Sequence, residues 1–110
     1  MKDDRLYLEH ILDCIRRIED YTKGDKSLFM ESALVQDAVT RNLQTMAEST
    51  QRISDALKSS NPTVDWTAIS GFRNILVHDY LGLDLERMWG VVNRRLPLLK
   101  ADIERMLAEL

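Results

Sequence analysis

Only six residues in this chain are strong helix breakers, and they lie so far apart that little except helix fits between them. The four glycines and two prolines among 110 residues act mainly at Gly24, at the Asn61-Pro62 pair and at Gly82-Leu83-Asp84. Between these points apolar residues return every three or four positions. Leu8, Ile11, Leu12, Ile15 and Ile18 form one helix face, with Tyr7, Cys14 and Tyr21 seven apart on its flank. Lys23-Gly24 predicts where that helix stops. Ser27–Glu31 reads as a short turn, and Ser32 as the cap of a long second helix. That helix carries Val35, Ala38, Val39, Leu43, Met46, Ala47, Ile53 and Leu57 and ends in Ser59-Ser60-Asn61-Pro62. Asp65 predicts the start of a third helix holding Trp66, Ile69, Phe72, Leu76 and Val77. Asp84 predicts a fourth, with Leu85, Met88, Trp89, Val92, Leu99, Ile103, Met106 and Leu107 turned inward. Pro97 cannot donate a backbone hydrogen bond, so this helix should bend or restart near Leu96. No segment alternates like a strand, and no repeat or low-complexity stretch occurs. The short linkers predict an all-α, up-and-down bundle of four to five helices.

The length predicts a single domain spanning 1–110, and a chain this short buries only about 60–65% of its unfolded surface, so a partner surface would help it. Its 45% hydrophobic and 30% charged residues are ordinary globular composition. Apolar runs such as Ile75–Val77 fall far short of the roughly 18 residues of a membrane span. The opening Met1-Lys2-Asp3-Asp4-Arg5 is charged and does not read as a signal peptide, and the single cysteine rules out an internal disulfide framework or a CxxC site. A cytoplasmic location is therefore expected. A net charge of −3, from 15 basic and 18 acidic residues, argues against broad coating of nucleic acid, so any RNA or DNA would be gripped at a small local site.

Most candidate sites have a structural explanation. His10 and Cys14 stand four apart, a spacing fit for two metal ligands, but no third ligand is near and Cys14 reads as core. Met30, Met46, Met88 and Met106 lie at packing positions. Asp3, Asp4, Glu9, Asp13, Glu19 and Asp20 alternate with Arg5, Arg16 and Arg17 as a solvated face. Gly71, Gly82 and Gly90 are isolated, so there is no phosphate-binding glycine loop, and no metal or cofactor site is expected.

One stretch differs. In Gly71-Phe72-Arg73-Asn74-Ile75-Leu76-Val77-His78-Asp79-Tyr80, polar and titratable groups gather at the end of an apolar helix. In an unbroken helix Arg73 and Tyr80 would lie about 10 Å apart along the axis, with His78 pointing about 140° away from Arg73. Fraying near His78 would bring the three heads into one cleft. Arginine grips phosphate bidentately, and histidine moves protons near neutral pH. The alternative is a buried His78 satisfying a helix end and an Arg73 paired with Asp79 or Asp84. Spacing alone leaves both open.

Arg73-x4-His78-x-Tyr80 is the RX4HXY signature of the HEPN superfamily, and the chain resembles its HepT type from about Arg5 to the C-terminus. Gln36-Asp37-Ala38-Val39-x-Arg41-Asn42-Leu43, Asp65-Trp66, Arg73-Asn74-x-Leu76-Val77-His78 and Leu96-Pro97 are similar to that family in the same order. The resemblance implies an all-α bundle that pairs as a two-fold homodimer and acts as a metal-independent endoribonuclease. It also implies the toxin of a type VII toxin–antitoxin pair, whose partner is a minimal nucleotidyltransferase that transfers AMP to the motif tyrosine. Carried over, Arg73 and His78 become the catalytic pair, Asn74 supports the arginine, and Tyr80 accepts AMP. Asp79 stands where glycine is common in the family, placing negative charge beside the imidazole where RNA phosphate must approach.

The chemistry that suits these groups is attack by the RNA's own 2′-hydroxyl, with one histidine from each copy as base and acid and two arginines on the developing charge. Dimerisation then belongs to the mechanism. The competing reading is a non-catalytic docking module for the nucleotidyltransferase. A weaker third reading is a structural helical dimer without phosphate chemistry.

Overall fold

Side-chain caps set where almost every helix begins. In a computed structural model residues 3–110 are described; Met1 and Lys2 of the charged N-terminal stretch, and the Tyr80 side chain, lie outside the described part. Helix α1 (Asp4–Thr22) starts where the Asp3 carboxylate accepts the Arg5 amide at 2.9 Å. It stops where Lys23 and Gly24 both take left-handed backbone, at φ 52° and 68°, with the Lys23 amide closing onto the Glu19 carbonyl at 2.8 Å. The Lys23-Gly24 stop is as expected.

The expected turn at Ser27–Glu31 is instead a short helix, α2 (Lys26–Glu31), capped by Asp25 through the Ser27 and Leu28 amides. Burial explains it: one helical turn carries Phe29 into the core against Trp89, ring centroids 5.6 Å apart. Ser32 caps α3 (Ala33–Gln51) through the Val35 amide. The expected continuous helix to Ser60 does not form. The chain breaks at Arg52–Ser54 and restarts as α4 (Asp55–Ser60). Asp4 causes the break, because its carboxylate takes both the Ser54 amide, at 2.9 Å, and the Ser54 hydroxyl, at 2.6 Å. Ser54 Oγ in turn accepts the Leu57 amide and caps α4.

Asp65 caps α5 (Trp66–His78) through the Ala68 amide. A single 3₁₀ turn, Tyr80–Gly82, follows, and Asp84 then caps α6 (Leu85–Gly90) through the Glu86 and Arg87 amides. Val91–Arg95 is π-helical and runs into α7 (Leu96–Glu109). The Leu96 amide bonds to the Val91 carbonyl, five residues back. Pro97 has no amide to offer and its ring would collide with the Asn93 carbonyl in a regular helix, so the widened turn is how the expected irregularity is taken up.

The architecture is an all-α bundle, as expected, although its short segments α2, α4 and α6 raise the helix count above four to five. Helices α1 and α3 run antiparallel, since His10 meets Ser49 and Cys14 meets Thr45. Helix α7 covers α1, with Lys100 on Glu19. Helix α5 packs on the other side of α3 and gives the core only Leu76 as a fully buried side chain, with Ile69 and Phe72 half-buried. That edge position keeps its polar residues near the surface. Among the described residues no helix is long and apolar enough to cross a membrane.

Candidate active site

The α5 motif is built outward from its helix. Leu76 points into the core, while Arg73 is half-buried and Asn74 and His78 are exposed. Arg73 reaches across to α3, where its Nη2 donates to Glu48 Oε2 at 3.3 Å. Its Nη1 donates to Asn74 Oδ1, also at 3.3 Å. Arg73 Nε is buried and has no hydrogen-bond partner among the described residues. The guanidinium is therefore held on two sides.

The Arg73 partner expected on structural grounds was Asp79 or Asp84; the ion pair is made with Glu48 instead. The buried His78 of that reading is also corrected, because His78 is exposed at the last position of α5.

Helix α5 persists through His78 and breaks only at Asp79, whose amide closes onto the Ile75 carbonyl at 2.9 Å. The expected fraying therefore comes one residue too late to swing His78 toward Arg73, and the two stay about 140° apart around the axis. Arg73, Asn74 and Glu48 are brought together; His78 stands at the helix end. Tyr80 opens the 3₁₀ turn, and its side chain is outside the described part.

Asp79 has φ −133°, a backbone any residue adopts, so a glycine is not required there. Its carboxylate folds against the next turn: a Cβ at Gly82 would meet Asp79 Oδ1 at 3.0 Å and Oδ2 at 3.4 Å. Glycine at 82 is what allows this close approach.

The remaining reactive side chains are committed elsewhere. His10 Nδ1 is hydrogen-bonded to Ser49 Oγ at 2.6 Å, and its Nε2 lies 3.7 Å from Cys14 Sγ. Cys14 is fully buried, and burial pushes its thiol above the usual range, against the opposing pull of the Thr45 hydrogen bond. A buried neutral thiol is a poor nucleophile. No three His, Cys, Asp or Glu side chains gather among the described residues in a way that could hold a metal ion.

Glu48 is the partner of Arg73 that sequence reasoning missed. It lies 25 positions before Arg73 as a lone carboxylate, and only the packing of α5 on α3 links the two.

Comparison with known proteins gives one consistent answer. The family model described as Ribonuclease HepT-like matches residues 11–106. A Methanocaldococcus jannaschii protein, named as a gamma-glutamylcyclotransferase and provisionally as an RNase, is 36% identical over 111 residues, which is 99% of this chain and 50% of that protein. This chain thus spans half the length of that relative. A second protein of the same organism, named provisionally as an RNase, is 30% identical over 104 residues, covering 94% of this chain and 95% of its own. The Thermococcus cleftensis protein named probable ribonuclease HepT is 31% identical over 104 residues, covering 91% and 92%. No solved structure matches the chain.

Proposed function

The chain belongs to the ribonuclease HepT-like family, and from that premise we propose that it is a metal-independent endoribonuclease of the cytoplasm, built on Arg73 and His78. It acts as the toxin of a toxin–antitoxin pair. Its antitoxin is a minimal nucleotidyltransferase that silences it by transferring AMP to Tyr80.

The observation that supports this most is how the motif is spent. Arg73 and His78 sit on an edge helix, one half-buried and one exposed, and neither fills the core. A guanidinium held by Glu48 and Asn74 is fixed in place but still presents part of its surface. That is a phosphate grip in waiting.

In the reaction the RNA 2′-oxygen attacks its own phosphorus while the 5′-oxygen leaves, giving a 2′,3′-cyclic phosphate and a free 5′-hydroxyl. One imidazole takes the 2′-proton and a second gives a proton to the leaving oxygen. Within one chain His78 points about 140° from Arg73, and each chain carries one motif histidine. A two-fold dimer pairing the α5 ends supplies His78 of the partner subunit and a second arginine for the developing charge. AMP on Tyr80 adds a phosphodiester charge, a sugar and a base just past His78. These neutralise Arg73 and fill the space the RNA backbone needs.

The test is the chemistry of the cut ends. RNA cleaved by the purified chain should carry 2′,3′-cyclic phosphate and 5′-hydroxyl termini. Ends bearing 5′-phosphate would require an attacking water and would contradict the scheme.

A further inference from the structure

Arg73 can be accounted for nitrogen by nitrogen. Nη1 goes to the neighbouring Asn74, Nη2 to Glu48 on α3, and Nε is sealed from solvent without a partner. Asn74 is adjacent in sequence on the same helix, so its contact moves with Arg73 and cannot anchor it to the bundle. Glu48 is the contact that ties the guanidinium to a second element. The pair is half-sheltered, with 27% of the arginine side chain and 38% of the glutamate side chain exposed.

We propose that Glu48 is a positioning residue for RNA cleavage: it fixes the plane of the Arg73 guanidinium before substrate arrives. This rests on the ribonuclease reading of the site. A long arginine side chain left free would have to be ordered in the transition state, and a carboxylate on Nη2 removes that ordering from the reaction step. Glu48 also carries negative charge, which opposes an incoming phosphate. The two effects separate in experiment. Positioning acts on the rate of the chemical step, whereas charge acts on RNA affinity. Glutamine keeps an oxygen at the same reach without the charge, so it preserves positioning and removes repulsion.

The test compares Glu48→Ala and Glu48→Gln with the unmodified chain in two measurements. The first is single-turnover cleavage at saturating RNA, with RNA affinity read separately and folding checked by helical circular dichroism. Glu48→Ala should lose on the order of 10–100-fold in the cleavage rate constant while binding RNA at least as tightly. Glu48→Gln should stay within about threefold of the unmodified rate. The second is ¹H–¹⁵N NMR of arginine Nε–H groups, with the Arg73 signal assigned by its loss in Arg73→Lys. The sealed Nε–H should exchange slowly with water in the unmodified chain and in Glu48→Gln, and fast in Glu48→Ala.

Slow exchange in Glu48→Ala, or cleavage by Glu48→Ala at the unmodified rate, overturns the positioning role and leaves the ribonuclease reading standing. A glutamine variant as slow as alanine overturns it as well, since charge would then be what matters. If the unmodified chain cleaves no RNA, the ribonuclease reading fails, and with it the proposal; the NMR measurement then still shows whether Glu48 holds the guanidinium.

Discussion

Arg73 and His78 should be separable from stability, because neither is part of the apolar core. Replacing either by alanine should cost on the order of 10²–10⁴ in cleavage rate. The half-exposed ion pair with Glu48 contributes no more than about 1 kcal/mol, so Arg73→Ala should melt within a few degrees of the unmodified chain. Cleavage near the unmodified rate would remove that residue from the mechanism, and an unfolded variant would return it to a structural role. Cys14 behaves in the opposite way. Its thiol is raised from the usual 9.0 by burial, so the unfolded chain loses that proton first as pH rises. The sign is a loss of stability above about pH 9, none below it, and slow thiol alkylation until the chain unfolds. A Cys14→Ala protein with the same alkaline fall in melting temperature would show that another group is responsible. At this scale Arg73, Asn74 and His78 could be picked out along the chain because they share one helix. Glu48 could not, since nothing local marks a carboxylate whose partner lies on another helix.

Helix starts were legible because each is a local bargain between one side chain and the amides just after it. Asp65, Asp84 and Ser32 cap where their sequence context predicts. The interruptions were not legible, because they depend on distant groups. The break at Arg52–Ser54 follows from Asp4, 50 residues away, and α2 follows from the burial of Phe29 against Trp89. Asp4→Ala should therefore release Ser54, costing about 1–2 kcal/mol by denaturant unfolding, with RNA cleavage retained. An unchanged midpoint would mean that the α3–α4 break has another cause. At Pro97 the proline made an irregularity legible, but its form, a π-helical stretch before the proline, depends on how the chain relieves the Asn93 clash.

The whole molecule leaves its motif on an edge helix, and the proposed chemistry needs two copies of it. Light scattering should give twice the 12.8 kDa of one chain, and a monomer with full cleavage activity would contradict the two-histidine scheme. Co-expression with a minimal nucleotidyltransferase should add mass in units of AMP on the Tyr80 peptide, and Tyr80→Phe should abolish both the addition and the silencing. AMP on Tyr7 or Tyr21 would break the link to the motif. Most directly, the purified chain and its His78→Ala variant should be given the same RNA in excess EDTA. A metal-free reaction built on Arg73 and His78 predicts cleavage by the unmodified chain at the rate seen without EDTA, and a loss on the order of 10²–10⁴ in the variant. Cleavage abolished by EDTA, or equal in the two proteins, would contradict it.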